Sequence, residues 1–325
     1  MKILVLGGTK FLGRAAVEAA FERGHEVTLF NRGETNPALF PDVEKLRGDR
    51  TDPRMRSVLD GRRWDGVIDT SGYFPGVVRR SAEALSDAGR YVFVSSVSVY
   101  ADFSAGPDED SPRAELAEGQ PVDEMLPDYE NYGPLKALSE DVVWDVFGDR
   151  ATIVRPGLIV GPHDPTGRFT YWPHRVARGG EVVVPAPPER TVQFVDARDL
   201  GVWLVELLER DESGAFNATR SRVSWAELLD TCAAVTGSDA EPVWIPDEFL
   251  LQQEVGEWME LPMWLADPDW VGMNQADVAR AEAAGLVHRP LEDTIRGTLD
   301  QAETTDDAGM MPGREQELIE AWRRS

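Results

Sequence analysis

Residues 2–13 read Lys2-Ile3-Leu4-Val5-Leu6-Gly7-Gly8-Thr9-Lys10-Phe11-Leu12-Gly13. Ile3–Leu6 is a continuous apolar run, the pattern of a strand covered on both faces. A glycine-rich turn follows at once. Arg14–Arg23 then has helical spacing, with Ala15, Ala16, Ala19 and Ala20 small enough to lie close to a sheet. Strand, glycine turn and helix in that order make a phosphate-binding unit. Glycine permits the sharp bend, the approach of backbone to phosphate, and the packing of helix on strand. The free N–H groups at the helix start carry a partial positive charge toward the anion. Gly7, Thr9, Lys10, Phe11, Leu12 and Gly13 are therefore expected to hold the pyrophosphate of a dinucleotide.

Working outward, strand and helix signals alternate. Glu26–Phe30, Val67–Thr70 and Tyr91–Ser95 read as strands, Pro134–Phe147 as a helix, and Thr152–Val160 as one further strand. Strands separated by helices of this length imply right-handed crossovers and a parallel sheet. Past Gly161 the pattern loosens. Short strands (Val182–Pro185, Gln193–Asp196, Ala215–Ala218, Pro242–Ile245) mix with helices (Leu200–Leu208, Trp225–Val235, Gln275–Ala284, Leu291–Leu299, Arg314–Arg323). Trp172, Trp203, Trp225, Trp244, Trp258, Trp264 and Trp270 concentrate there. The expected class is α/β: a Rossmann doubly wound parallel sheet with a smaller C-terminal α/β substrate lobe. Residues 1–162 are expected to form the nucleotide domain, with 190–215 returning to it and 163–325 mainly the substrate lobe.

The 325-residue chain has 42% hydrophobic and 28% charged residues, an ordinary globular balance. No apolar run approaches the ~18 residues of a membrane span. The single Cys232 allows no internal disulfide, which fits a reducing, cytoplasmic setting. A net charge of −25 argues against nucleic acid and anionic membrane as partners. His25, His163, His174 and His288 have no metal-ligand spacing, so no metal site is expected. The partner implied is a small-molecule substrate, with the protein a monomer or homodimer.

The second strand runs into Asn31-Arg32-Gly33, with no acid to hold both ribose hydroxyls. A guanidinium suits a ribose 2′-phosphate by charge and shape. With Lys10, Asn31 and Arg32 therefore favour NADP over NAD.

Tyr132-Gly133-Pro134-Leu135-Lys136 places a tyrosine and a lysine four residues apart on one helix face. Tyrosine has an ordinary pKa of ~10. A nearby ammonium is expected to stabilise its phenolate and make it a usable acid or base. Ser95-Ser96-Val97-Ser98-Val99-Tyr100 ends an apolar strand, a position where doubly wound folds build sites.

Together the turn, the serine-rich strand end, the Tyr–Lys pair and Arg155-Pro156-Gly157-Leu158-Ile159-Val160-Gly161-Pro162 resemble the extended short-chain dehydrogenase/reductase family. That family includes the NAD-dependent epimerase/dehydratase group. The resemblance covers roughly residues 1–300. The family turn is GxxGxxG; here Lys10 replaces the middle glycine, as in an atypical subgroup. The resemblance implies Ser96, Tyr132 and Lys136 as the catalytic set, with Ser96 polarising a substrate carbonyl and Lys136 also holding the nicotinamide ribose. It implies cofactor contacts from Asp49 and Arg50, from Thr70, Ser71 and Gly72, and from Tyr132, Lys136 and Pro156. Nucleotide-sugar members often carry asparagine where this chain has Leu158, which counts against a UDP- or dTDP-sugar.

The implied activity is hydride transfer between NADP(H) and a carbonyl/alcohol carbon. The alternatives are an epimerase or dehydratase acting on a sugar-like substrate, and a catalytically silent binding protein of the same fold. Substrate contacts are expected from Ser96, Ser98, Tyr73, Arg168, Tyr171 and Trp172; the two aromatics could equally pack the lobe. The proline-rich acidic segment 102–128 reads either as a solvated insertion or as a lid with pinned ends and a mobile middle.

Overall fold

The computed structural model describes residues 1–301 and 308–325. Its centre is β1 (Lys2–Leu6), β2 (Glu26–Asn31), β3 (Glu44–Arg47), β4 (Gly66–Asp69), β5 (Arg90–Val94) and β6 (Ala151–Pro156). The strand Gly214–Ala218 joins them as a seventh. All neighbours are parallel, and the order runs Gly214–Ala218, β6, β5, β4, β1, β2, β3. Helices α1 (Phe11–Glu22), α2 (Met55–Leu59), α3 (Pro75–Ala84) and α4 (Tyr132–Phe147) connect the strands, and α5 (Tyr171–Ala177) and α6 (Ala197–Glu209) follow.

The apolar run of β1 is explained by two cores. Ile3 and Val5 face α1 and α6; Leu4 and Leu6 face the opposite layer with Phe30, Val78 and Phe93. The small residues of α1 let α6 come very close. A Cβ on Gly201 would stand 2.7 Å from the Ala15 carbonyl carbon.

A separate core gathers Trp172, Trp225 and Trp264, all fully buried, with Phe169 and Phe194. Trp203, within the stretch 190–215, belongs to the main core, where it packs edge-on to Phe216 and its indole donates to the Ala284 carbonyl. One expectation changes here: the expected strand Thr152–Val160 is two strands. Pro156 ends β6, and β7 (Leu158–Val160) pairs instead with Phe194–Asp196.

Segment 102–128 is pinned over more than its two ends. Its first half is a strap on the sheet edge. The buried Glu109 carboxylate accepts the Asn217 backbone N–H at 2.8 Å, which satisfies an edge-strand donor. Asn217 Nδ2 donates to Pro107 O at 3.3 Å, and Gly272 N–H to Phe103 O at 2.6 Å. Arg113 reaches Ala137 O and the carboxylates of Glu140 and Asp141 on α4. Residues 103–113 are thus tied to the sheet edge, to α4 and to Gly272, the bonds of Glu109 and Asn217 being buried. Nearer α4, Asn131 donates to the carbonyls of Pro121 and Glu124 and accepts from Leu126 N–H, closing a compact loop.

Glu140 is fully buried and carries both Arg155 and Arg113. Removing one partner of a buried ion pair costs about 3–5 kcal/mol, because the remaining charge stays desolvated. Glu140→Ala is therefore expected to lower the urea unfolding free energy by about that amount. A loss below about 1 kcal/mol would mean that Arg155 finds another acceptor.

Candidate active site

The glycine turn opens a cavity of about 800 Å³ that runs along the C-terminal ends of β1, β2, β4, β5 and β6. Gly7 and Gly8 have φ of +107° and +88°, a region that side chains rarely adopt. A Cβ on Gly13 would sit 2.9 Å from Gly8 N, so only glycine lets α1 seat on the turn. Lys10, extended at the N-cap, supplies no side-chain cap to the first helical N–H groups. A turn stripped of side chains beneath an uncapped helix start fits a pyrophosphate.

At the next strand end, Asn31 Nδ2 donates to Gly7 O at 2.8 Å, and its Oδ1 accepts Arg47 Nη1. Arg32 lies exposed on the cavity rim and pairs with Glu34 at 3.0 Å. The Asp49 carboxylate accepts Thr51 N–H and hydroxyl, each at 2.7 Å; these bonds, with Arg32 nearby, hold it below the usual carboxylate range.

Arg50 lines the cavity, as expected of a cofactor-contacting residue, while its guanidinium is engaged by protein partners. It clamps Asp69 at 2.8 and 2.6 Å and also reaches Ser81 and Ser71. Burial alone would raise the Asp69 pKa. The Arg50 charge and the hydrogen bonds from Arg50, Tyr91 and Ser71 outweigh it and hold the carboxyl low. Thr70 and Ser71 hydroxyls both donate to Leu6 O, bracing β4 against β1.

Lys136 is buried, and its ammonium donates to Gly72 O at 2.6 Å and Val94 O at 2.8 Å. The Phe93 ring lies 4.2 Å from Nζ and the Tyr73 ring 5.7 Å. Burial pulls this ammonium down to about 7, against the attraction of Asp69 and Glu140. Tyr132 and Ser96 both line the cavity, and Ser96 is a polar neighbour of the phenol. Burial, then the neighbouring Tyr73, push the phenol up to about 12, with Ser96 opposing. The expected lowering of the tyrosine pKa by lysine is therefore absent: the ammonium points at two carbonyls.

Ser98 does not line the cavity. Its N–H donates to Ser96 Oγ at 3.1 Å and its hydroxyl accepts from Ser96 at 3.0 Å, so it orients Ser96. Tyr73, half-exposed, does line it. Tyr171 and Trp172 correct the reading of them as substrate contacts. Both are buried in the second core, and the Trp172 indole donates to Pro262 O at 3.0 Å. Arg168 stands outside the cavity lining. Its guanidinium lies 5.3 Å from the centre of the Trp258 ring, and Asp164 is its electrostatic neighbour. Pro165 of the same segment does line the cavity.

A parallel doubly wound sheet with this turn, and with Ser, Tyr and Lys gathered at its strand ends, defines a dinucleotide-binding Rossmann protein. The chain belongs to the NAD dependent epimerase/dehydratase family, whose model matches residues 3–218. It is 28% identical over 266 residues to 2′-dehydrokanamycin reductase of Streptomyces kanamyceticus, covering 78% of this chain and 72% of the relative. It is 27% identical over 255 residues to the chloroplast stem-loop binding protein of 41 kDa b of Arabidopsis thaliana, covering 73% and 63%. Among solved structures, WbmH of Bordetella bronchiseptica with NAD+ aligns at TM-score 0.66 and 18% identity over 94% of this chain and 99% of that one. UDP-glucuronic acid 4-epimerase of Bacillus cereus with NAD aligns at 0.63 and 17%, over 92% and 98%. At these identities the structural likeness is one of fold.

The approach of α4 to Ser96 depends on Gly133. A Cβ there would stand 2.0 Å from the Ser98 carbonyl oxygen. Overpacking of this kind costs about 1–3 kcal/mol. Gly133→Ala should lose that much in urea unfolding followed by tryptophan fluorescence. Gly76→Ala, where a Cβ meets nothing within 4 Å, should not. Equal midpoints for the two variants would mean that the helix recedes without strain.

Proposed function

We propose that the chain is an NADP(H)-dependent reductase or dehydrogenase acting on a carbonyl/alcohol carbon of a small molecule. Ser96, Tyr132 and Lys136 are its reactive residues. The observation that carries this is that Ser96, Tyr132 and Lys136 line the same nucleotide cavity at the end of β5 and the start of α4. The nicotinamide group, when bound, supplies or accepts the hydride. The chain's own residues then handle the oxygen and its proton. Ser96, held by the Ser98 N–H, turns its one hydroxyl hydrogen from Ser98 Oγ to the carbonyl oxygen. Tyr132 keeps its proton up to about 12, so at neutral pH it is a donor, the form that reduction requires. Lys136 fixes the loop after β4 to the end of β5, and its positive charge favours the developing alkoxide.

The reductase relative supports the reducing direction. An epimerase of a sugar-like substrate is the second reading, supported by the epimerases among the structural neighbours. The two differ in stoichiometry: a reductase consumes NADPH, whereas in an epimerase the oxidised cofactor would take the hydride and give it back within one turnover. The chloroplast stem-loop binder among the relatives supports a third reading, but the net charge of −25 disfavours a polyanion ligand. A cytoplasmic setting remains part of the proposal. Among the described residues no helix is long and apolar enough to cross a membrane.

Tyr132→Phe removes one hydroxyl and keeps the ring. It should leave the melting temperature nearly unchanged and lower NADPH oxidation with a panel of ketones and aldehydes by about 10²-fold or more. A Phe variant with full activity would move the chemistry to another residue.

The Lys136 ammonium loses its proton as pH rises through about 7. If that charge assists reduction, kcat/KM should be flat below about 7 and fall above it, since kcat/KM reports the free enzyme. A profile level to pH ~9 would deny the Lys136 proton any part in the step.

A further inference from the structure

Asn31 and Arg47 are register partners across β2 and β3. Their side chains therefore emerge together on one face at the strand ends. The Asn31 amide works at both ends: Nδ2 donates to the Gly7 carbonyl and Oδ1 accepts Arg47 Nη1. Gly33, the second residue after β2, completes the arrangement. It sits at φ +82°, and a Cβ there would stand 2.7 Å from Arg47 Nη1, 2.8 Å from Cζ and 3.0 Å from Nε. The guanidinium lies against the bare backbone of this turn. It is held by a neutral amide and makes no ion pair among the described residues. Arg32, by contrast, has Glu34 as its partner. Asn31, Arg32, Gly33 and Lys10 line one end of the nucleotide cavity.

We infer that Arg47 is the principal arm of a site for a ribose 2′-phosphate. The inference rests on the NADP(H) reading and adds a residue to it. The charge balance favours Arg47 over Arg32. Arg32 must give up a carboxylate to take a phosphate, whereas Arg47 has none to give up. Its bond to Asn31 uses Nη1 and leaves Nε and Nη2 as further donors. A planar guanidinium meets phosphate oxygens through paired donors of this kind. Asn31 occupies the strand end where an acid would hold both ribose hydroxyls. Its amide instead carries a cation to that place.

The probes are 2′,5′-ADP and 5′-AMP, which differ only in the 2′-phosphate, and NADPH and NADH, all titrated by calorimetry without substrate. Wild type should bind 2′,5′-ADP and NADPH more tightly than their partners. Arg47→Met should weaken both phosphorylated ligands by about 10-fold or more, the scale of a charge-assisted hydrogen bond. It should leave 5′-AMP and NADH within about twofold. Its melting temperature should not move, since the side chain is exposed. Arg32→Met should lose less than Arg47→Met. If wild type shows no preference for 2′,5′-ADP, the NADP(H) reading fails and takes this inference with it. If wild type has the preference and Arg47→Met keeps it, or loses affinity equally for all four ligands, the inference alone is overturned.

Discussion

The geometry of the site depends on a buried cation with no room for error around it. Arg155, at the end of β6, donates twice to Glu140 of α4, and its remaining nitrogen reaches the Tyr100 hydroxyl and the Glu109 carbonyl. Tyr100 in turn donates to Asn217, and Glu109 caps the Asn217 N–H. One guanidinium thus joins the central sheet, the helix that carries Tyr132 and Lys136, the turn after Ser96, and the strap on the sheet edge. Such a pair contributes little net stability, since desolvating both charges offsets much of their attraction. What it contributes is position: any shift of α4 relative to β6 leaves a charge unmatched in the interior.

Position matters because Lys136 and Ser96 are set by backbone atoms. The ammonium bridges carbonyls that follow β4 and end β5, so it reports the spacing of those two strand ends. Ser96 is fixed by the N–H of Ser98. The Ser98 carbonyl in turn abuts Gly133 on α4. Beneath them, Arg50, Asp69, Tyr91 and Ser71 form a second closed polar cluster. The two clusters bracket the site, so its hydroxyls stand on parts of the fold that cannot relax independently. This is the preorganisation that a group acting on developing charge requires.

What the sequence made legible follows from range. Ile3–Leu6 is readable because two cores cover it, which leaves no polar position to blur the pattern. β3 is not, because Leu46 alone among Glu44–Arg47 is buried and an edge strand needs no more. The Tyr–Lys pair is legible because both residues sit on one helix. The polarity of their environment is not: the Lys136 carbonyl partners lie 42 and 64 residues away. The Arg50 clamp on Asp69 is not legible, because that partner is 19 residues on. Tyr171 and Trp172 stand in a stretch whose composition suits a pocket or a core equally. Packing against Trp225 and the carbonyl of Pro262 decides for the core. Segment 102–128, acidic and rich in proline, has the composition of a free loop. Only the fold brings Asn217 to Glu109 and Glu140 to Arg113.

The charge of the chain sharpens the meaning of its few open cations. At −25 the protein repels an anionic nucleotide at distance, and beyond a Debye length of about 8 Å salt screens that repulsion. Binding must then be won at short range, by groups whose charge is not already cancelled. The interior arginines are cancelled: Arg50 by Asp69, Arg155 by Glu140, Arg175 by Glu315. Two of the four lysines, Lys10 and Lys136, line the nucleotide cavity, and Arg47 stands at the same strand ends held only by an amide. An acidic surface with Lys10 and Lys136 in the cavity and Arg47 beside it, none of them in an ion pair among the described residues, discriminates there by contact rather than by long-range attraction. It disfavours polyanions that cannot enter and leaves a local well for an anion small enough to reach the glycine turn and the helix start.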